Sequence, residues 1–317
     1  MKPRKRDKAR KKNPSQLRTY SFVITGLVIL VLVAGSWYQS LPSVGHIPDG
    51  FEFKPQDWMA YVPSDAQYVA YVNYDQAYSI THNSSLYGTQ YLFELPQLGF
   101  QVLPTDIAYE VEIELPQSQY SGSATVLKFT TQEHAKLVND LESVKPASIP
   151  QPANYNGYKV YELLMRKFGD QIANQGFLSV VNEQVIFSND KSSARQNVQA
   201  ILDEVSSNAT TLFDEVTVKQ AVYATGVTDQ DYVGLYVAKF ATQLNDTKMI
   251  VKSVIGDGTS ISVSRALLFP TSDIALKRLD QAHKVYRNAA SYRILDSWLV
   301  VTYNYPLYRL QSELTGV

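Results

Sequence analysis

Ile107-Ala-Tyr-Glu-Val-Glu-Ile-Glu-Leu115 alternates apolar and acidic residues without a break. Successive strand side chains point to opposite faces, so Tyr109, Val111, Ile113 and Leu115 share one face and Glu110, Glu112 and Glu114 the other. A strand of this kind has one dry and one wet face, which is the habit of an antiparallel sheet. SATVLKFT (Ser123–Thr130) is a second strand, and the PQSQYSG between them is turn chemistry. At Thr131 the period changes. Ala135, Leu137, Val138, Leu141 and Val144 form a helical stripe behind a Thr131 start.

The same order continues outward in both directions. QYVAYVN (Gln67–Asn73) predicts a strand and Tyr74–Phe93 a helix, with Asn83-Ser84-Ser85 as a place where it can break. GYKVYELL is a strand, FLSVVNEQVIFSN a hairpin turning at Asn182-Glu183-Gln184, and a helix starts at Asp190. Further on, DYVGLYVAKF is a strand, and two strands flank Gly256-Asp257-Gly258, where glycine tolerates a positive φ. Thr271 or Ser272 caps an amphipathic helix. SYRILDSWLVVTY is another hairpin, and LYRLQSEL is a closing helix.

The two runs align with one another. Asp65–Val69 matches Asp229–Val233 at a shift of 164, the helix start at Thr131 matches that at Thr271 at 140, and Val181–Ser188 matches Leu295–Thr302 at 114. This predicts an internal repeat, with units at 58–206 and 207–317 and with Tyr68 and Tyr232 equivalent.

Charge is distributed unevenly. The chain of 317 residues carries 29 basic and 30 acidic side chains. Nine of the basic ones and a single acid lie in the first 18 residues, leaving the remainder with a net of -9. Ser21–Trp37 is uncharged and apolar; 17 residues of helix span about 26 Å, enough for a thin bilayer core. Tyr20, Trp37 and Tyr38 flank it as interfacial anchors. The expected order is a basic cytoplasmic tail (1–19), a transmembrane helix (20–38), a linker (39–57) rich in Pro and Gly, and a body outside the cell. The competing reading is a signal peptide cleaved near Ala34–Ser36, which bulky Trp37 and Tyr38 disfavour. Membrane lipid is therefore the expected partner of residues 20–38 and of the basic tail, through anionic headgroups. An acidic body is not expected to bind nucleic acid.

Zero cysteines exclude disulfides, thiolate metal sites, a cysteine nucleophile and a lipoprotein anchor. The four histidines (His46, His82, His134, His283) have no metal-ligand spacing, and no nucleotide or serine-hydrolase motif occurs. No catalytic, cofactor-binding or metal residue is assigned, and no cofactor is expected. Glu110, Glu112 and Glu114 remain as a candidate acidic face for a cation or for acid–base work, against the alternative of a solvated strand face. Asn83, Asn208 and Asn245 open sequons and are candidate glycosylation sites. The 22 tyrosines suit either a binding surface or half-exposed strands.

Three stretches also carry a likeness: Pro63–Val72, with Pro-Ser-Asp-Ala before an apolar strand; Tyr155–Tyr161, leading into an apolar hairpin; and the Ser188-Asn-Asp190 helix start. The chain resembles a family of single-anchor prokaryotic envelope proteins with duplicated α+β ectodomains. The resemblance implies the anchor and the duplication, and brings no activity or functional residue with it. The expectation is an α+β protein: one N-terminal transmembrane helix, then a duplicated ectodomain of mainly antiparallel sheet with packed helices. The function expected is non-catalytic binding or scaffolding of an envelope protein partner. The alternative is a membrane-anchored extracytoplasmic hydrolase using Asp or Glu carboxylates.

Overall fold

The computed structural model describes residues 43–51, 53–81, 93–116, 122–143, 149–167, 172–190, 192–207, 209–227, 232–244, 246–286 and 289–315. The basic tail and the apolar segment 20–38 lie outside these residues, as do Asn83, Asn208 and Asn245 of the three sequons. Among the described residues no helix is long and apolar enough to cross a membrane. Residues 44–317 form one compact unit.

Among the described residues fifteen strands make one sheet. They are β1 (Ser43–Gly45), β2 (Tyr68–Asn73), β3 (Phe93–Leu95), β4 (Phe100–Val102), β5 (Ile107–Leu115), β6 (Gly122–Phe129), β7 (Ala153–Tyr155), β8 (Tyr158–Lys167), β9 (Asn174–Val181), β10 (Gln184–Ser188), β11 (Tyr232–Leu244), β12 (Thr247–Gly256), β13 (Ser260–Leu268), β14 (Ser291–Leu295) and β15 (Trp298–Pro306). The order across the sheet is β1-β14-β15-β13-β12-β11-β2-β5-β6-β10-β9-β8-β3-β4, with β7 beside β8. Six α-helices accompany it among the described residues: α1 (Tyr74–Thr81), α2 (Thr131–Ser143), α3 (Ala194–Ser207), α4 (Val216–Ala224), α5 (Ser272–Val285) and α6 (Leu310–Thr315). The class is α+β, with an antiparallel sheet at its centre.

The alternation of β5 sorts its side chains as its sequence requires. Val111, Ile113 and Leu115 are buried on one face while Glu110 and Glu112 are half-buried and Glu114 exposed on the other. The dry face carries the largest core. It runs through β2, β5, β6, β11, β12, β13 and β15, and is closed by Trp58, Met59 and Tyr61 of a 3-10 turn and by α3 and α4. The opposite face holds two separate cores. Leu137 and Leu141 of α2 cover one end, and Ala275 and Leu279 of α5 with Leu310 and Leu314 of α6 cover the other. Helices therefore lie on both faces, because the central strands are apolar on both.

The register of the strands has internal order. In β5, β6, β10 and β9 the pairs are Val111↔Val126, Val126↔Ile186 and Ile186↔Ser179. In β12, β13 and β15 they are Val251↔Ala266 and Ala266↔Val300, which are the same positions moved by 140 and 114. The hairpin residues Asn182 and Asp296, also 114 apart, both take left-handed backbone, at φ 53° and 52°. The central strands depart from expectation. Tyr68 packs with the core under α5 and α6, whereas Tyr232 packs on the other face. The register of β11 shifts between Tyr232 and Gly234, and one extra residue in a strand sends its neighbours to the opposite face. The two tyrosines are therefore not equivalent.

Other boundaries also move. The helix expected over Tyr74–Phe93 ends at Thr81 where it is described, and Phe93 opens β3. The helix expected at Asp190 begins at Ala194. Residues expected to be linker are partly built into the body. Ile47 is 3% exposed, Phe51 lies 5.0 Å from the Tyr223 ring and Phe53 stacks on Phe213. Their apolar side chains find room at the edge of the α4 core, which the local Pro and Gly content concealed.

Candidate functional site

One row of residues crosses four neighbouring strands on the face of the large core. Asn73 of β2 pairs with Tyr109 of β5, Tyr109 with Lys128 of β6, and Lys128 with Gln184 of β10. Directly opposed side chains in a sheet touch, so register alone brings four polar residues into one line. The 3-10 turn Asp57–Tyr61 lies over the row. The Lys128 ammonium stands 3.2 Å from Asp57 Oδ2 and 3.2 Å from Glu183 Oε2. The Tyr61 hydroxyl donates to Gln184 Oε1 at 2.8 Å, and Gln184 Nε2 donates to the Tyr109 hydroxyl at 3.1 Å. Gln184 is only 5% exposed, and both ends of its amide are held. Such a buried network is rigid when every group is satisfied.

Two cavities open on either side of the Lys128–Asp57 pair. The first, about 610 Å³, lies among Asp57, Tyr61, Lys128, Glu183, Gln184 and Glu204. The second, about 670 Å³, lies among Gln56, Asp57, Asn73, Asp75, Gln76 and Lys128. Both are in the size range of small-ligand sites. Burial works against the charge on Lys128, but the hydrogen bonds it donates to Asp57 and Glu183 outweigh it and hold its pKa above the ordinary lysine value. Burial pushes the Glu204 carboxyl up, and the nearby charges of Asp65 and Asp214 add to this. The Asp75 carboxyl is raised by burial as well.

Glu204 reaches the first cavity because α3 is pinned. Val198, Ile201 and Leu202 are wholly buried, and Asn197 donates to the Ser123 carbonyl at 3.1 Å and to Asp190 Oδ2 at 3.0 Å. One turn beyond Ile201, Glu204 stands at the border of the buried stripe. Its Oε1 is closed off from solvent and has no hydrogen-bond partner.

The sequence-predicted residues lie elsewhere. Glu110 and Glu112 meet around Lys167, whose Nζ is 3.7 Å from Glu110 Oε1 and 3.2 Å from Glu112 Oε1. The Tyr74 hydroxyl donates to Glu110 Oε2 at 3.0 Å. Glu114 stands apart from this network, opposite Ser123 and Tyr68. Among the described residues no group of three or more His, Asp or Glu could hold a metal ion. Asp257 accepts from the Thr259 and Ser260 amides at 2.8 Å each, which holds its carboxyl well below the usual range and closes the β12–β13 turn. His46 contacts Asp296, and that pair holds the incoming chain against the β14–β15 turn. Among the described residues eight tyrosines, including Tyr71, Tyr109, Tyr232 and Tyr303, are buried. Tyr71 stacks on Trp58 with ring centres 4.5 Å apart, as part of the large core, while Tyr61 and Tyr109 turn their hydroxyls to the polar row.

Sequence reading passed over Lys128, Glu183, Gln184 and Glu204. Asn182-Glu183-Gln184 read as turn chemistry alone, and nothing in the helix starting at Asp190 singled out Glu204. The available signal was Lys128, a charge inside the apolar SATVLKFT strand.

No family model matches the sequence, and no curated protein matches it. Among solved structures the chain is similar to TP0453. Crystal form I matches with a TM-score of 0.45 and 10% identity, over 83% of this chain and 99% of that one. Form IV gives 0.45 and 8% over 81% and 96%, and form III gives 0.42 and 10% over 82% and 97%. At these scores the likeness carries no functional argument.

Proposed function

We propose that this is a membrane-anchored, non-catalytic binding or scaffolding protein of the cell envelope. Residues 1–19 are cytoplasmic, 20–38 cross the membrane, and the body is outside, with its binding site at the polar row. The one-sided basic cluster supports the orientation. We also read the two halves, 58–206 and 207–317, as copies, on the shared registers and the paired left-handed turns.

One observation carries the assignment of the site. The positions in the second half that match Tyr109, Lys128, Gln184 and Val181 by register are Met249, Leu268, Trp298 and Leu295, and they form the same cross-strand row. That row is entirely apolar. The other half of the fold closes the same row with apolar side chains, so the sheet itself does not require the polar set of Gln184 and Lys128, each of which burial obliges to have partners. A binding role supplies a reason for the polar set. The arrangement holds a lysine offset by two carboxylates, and no nucleophile activated by a neighbouring base, which favours binding over the hydrolase reading.

The test places a photocrosslinking residue at Ala60, which lines the first cavity, in native membranes, with Leu276 on α5 as the comparison position. A discrete adduct specific to Ala60 is expected. No adduct, or the same adducts from both positions, would overturn the reading.

A further inference from the structure

We propose that Arg265 and Arg309, held on the stacked rings of Tyr303 and Tyr305, form a second interaction surface that docks a carboxylate-bearing segment of a partner protein. This goes beyond the binding reading above and does not depend on the polar row. Tyr303 belongs to the core under α5 and α6, on the face of the sheet opposite that row, and Tyr305 packs against the same core. The two tyrosines are two apart on β15, so they share a face. Their rings stack with centres 5.5 Å apart and planes 6° apart. The Arg265 guanidinium of β13 stands 5.7 Å from the Tyr303 ring centre, and the Arg309 guanidinium stands 5.4 Å from that of Tyr305. The four side chains make a continuous ladder with a cation at each end. Both cations also act on one hydroxyl. Burial and the Glu313 charge push Tyr305 up, while Arg265 and Arg309 each pull it down.

Glu313 of α6 shows what this patch accepts. Its Oε2 lies 3.7 Å from Arg265 Nη2 and 3.5 Å from Lys252 Nζ. Two basic side chains thus share one carboxylate, and exposed Arg309 has no ion pair among the described residues. The patch is cationic on a body whose residues 19–317 carry a net of -9. An acidic partner is repelled by that body at large and attracted here, which fixes its orientation. A guanidinium lying on a ring keeps its in-plane N–H donors and has already given up much of its rotamer freedom. The rings are engaged by one another and by the arginines, so the ladder offers hydrogen bonds to charge, not stacking to a sugar. A flat anionic lipid surface would meet exposed Arg309 and Tyr308 but not Arg265, whose side chain is 25% exposed. A carboxylate side chain is narrow enough to reach both arginines.

The experiment uses the full chain in phosphatidylcholine nanodiscs, with a photocrosslinking residue at Tyr308, which is 75% exposed and next to Arg309 in the chain. The probe is a dye-labelled Gly-Glu-Leu-Glu-Gly peptide. Gly-Gln-Leu-Gln-Gly is the neutral control, and phosphatidylglycerol vesicles are the competing anionic surface. A saturable adduct with the Glu peptide alone is expected, unchanged by the vesicles. Arg309→Gln, at an exposed site with no ion pair to lose, is expected to weaken the apparent affinity by about tenfold, the worth of a charge-assisted hydrogen bond. Absence of an adduct, equal adducts from the two peptides, loss of the adduct to the vesicles, or wild-type affinity in Arg309→Gln would each overturn the inference. Any of these leaves the polar-row reading to its own test at Ala60.

Discussion

Single residues in the polar row hold definite energies. The Tyr61 hydroxyl is the donor to Gln184 Oε1 in a place closed to water. Tyr61→Phe keeps the ring and strands that oxygen, so a loss of about 1–3 kcal/mol in denaturant unfolding is expected. A loss below about 0.5 kcal/mol would mean that the amide finds another donor. Lys252 makes a different case. It is 1% exposed under α6, where its Nζ donates to the Glu313 carbonyl at 2.6 Å and lies 3.5 Å from Glu313 Oε2. Burial lowers its pKa to about 8 from 10.5, the Glu313 charge opposing and the Arg265 charge adding to the shift. Between these two values the unfolded chain keeps a proton that the folded chain has released, so stability rises with pH across that window and this contribution is flat below about 8. Lys252→Met should abolish the rise between pH 8 and 10 in melting temperature. An unchanged pH profile would show that Lys252 keeps an ordinary pKa in the fold.

At the scale of elements, the period of the sequence decides what is legible. β5, β6 and the hairpins at Asn182 and Asp296 stood out because alternation and turn chemistry agree there. Thr271 was legible as a cap, and its Oγ1 does accept from the Ile274 amide at 3.3 Å. α4 was missed. Its sequence, VTVKQAVYA, is rich in β-branched residues, and only burial of Val218, Ala221 and Val222 against the sheet makes it helical. β3 and β4 were missed because each has three residues, too few for a period. The polar row was illegible for another reason. Tyr109, Lys128 and Gln184 are far apart in sequence, and only antiparallel register lines them up. Gly176 in β9 is an element-scale constraint of the same kind. A Cβ there would meet the Ser188 carbonyl at 2.6 Å and Met165 Sδ at 2.7 Å. The sulfur can turn aside but the carbonyl cannot, so Gly176→Ala should cost about 1–3 kcal/mol in thermal or denaturant unfolding. A neutral substitution would mean that β9 and β10 slide apart freely.

Over the whole molecule, the large core does not respect the boundary between the two halves. It joins Val69 and Tyr71 of β2 to Leu235 and Val237 of β11 across a direct antiparallel pairing, and Trp58 and Trp298 both belong to it. Its far wall is α4 with the 3-10 turn before it, and residues packed on this wall come from the segment expected to be a linker: Phe51 meets Tyr223 of α4, Phe53 stacks on Phe213 of the turn beside Trp58, and Ile47 is buried in the same core. A body starting at Trp58 would expose this wall, whereas one starting at Val44 keeps it closed. Each large apolar side chain lost from such a site removes roughly 1.5–3 kcal/mol. Three together exceed a substantial part of ordinary domain stability. Residues 44–317 should therefore unfold at clearly higher denaturant than residues 58–317. Because the core is shared, single-tryptophan variants retaining Trp58 or Trp298 should report the same midpoint in the longer body. In the shorter one, the Trp58 signal should be lost first, since its neighbour Phe213 loses the stacked Phe53. Equal midpoints for the two bodies would show that residues 44–57 lie on the surface as a tether, and that α4 needs no cover.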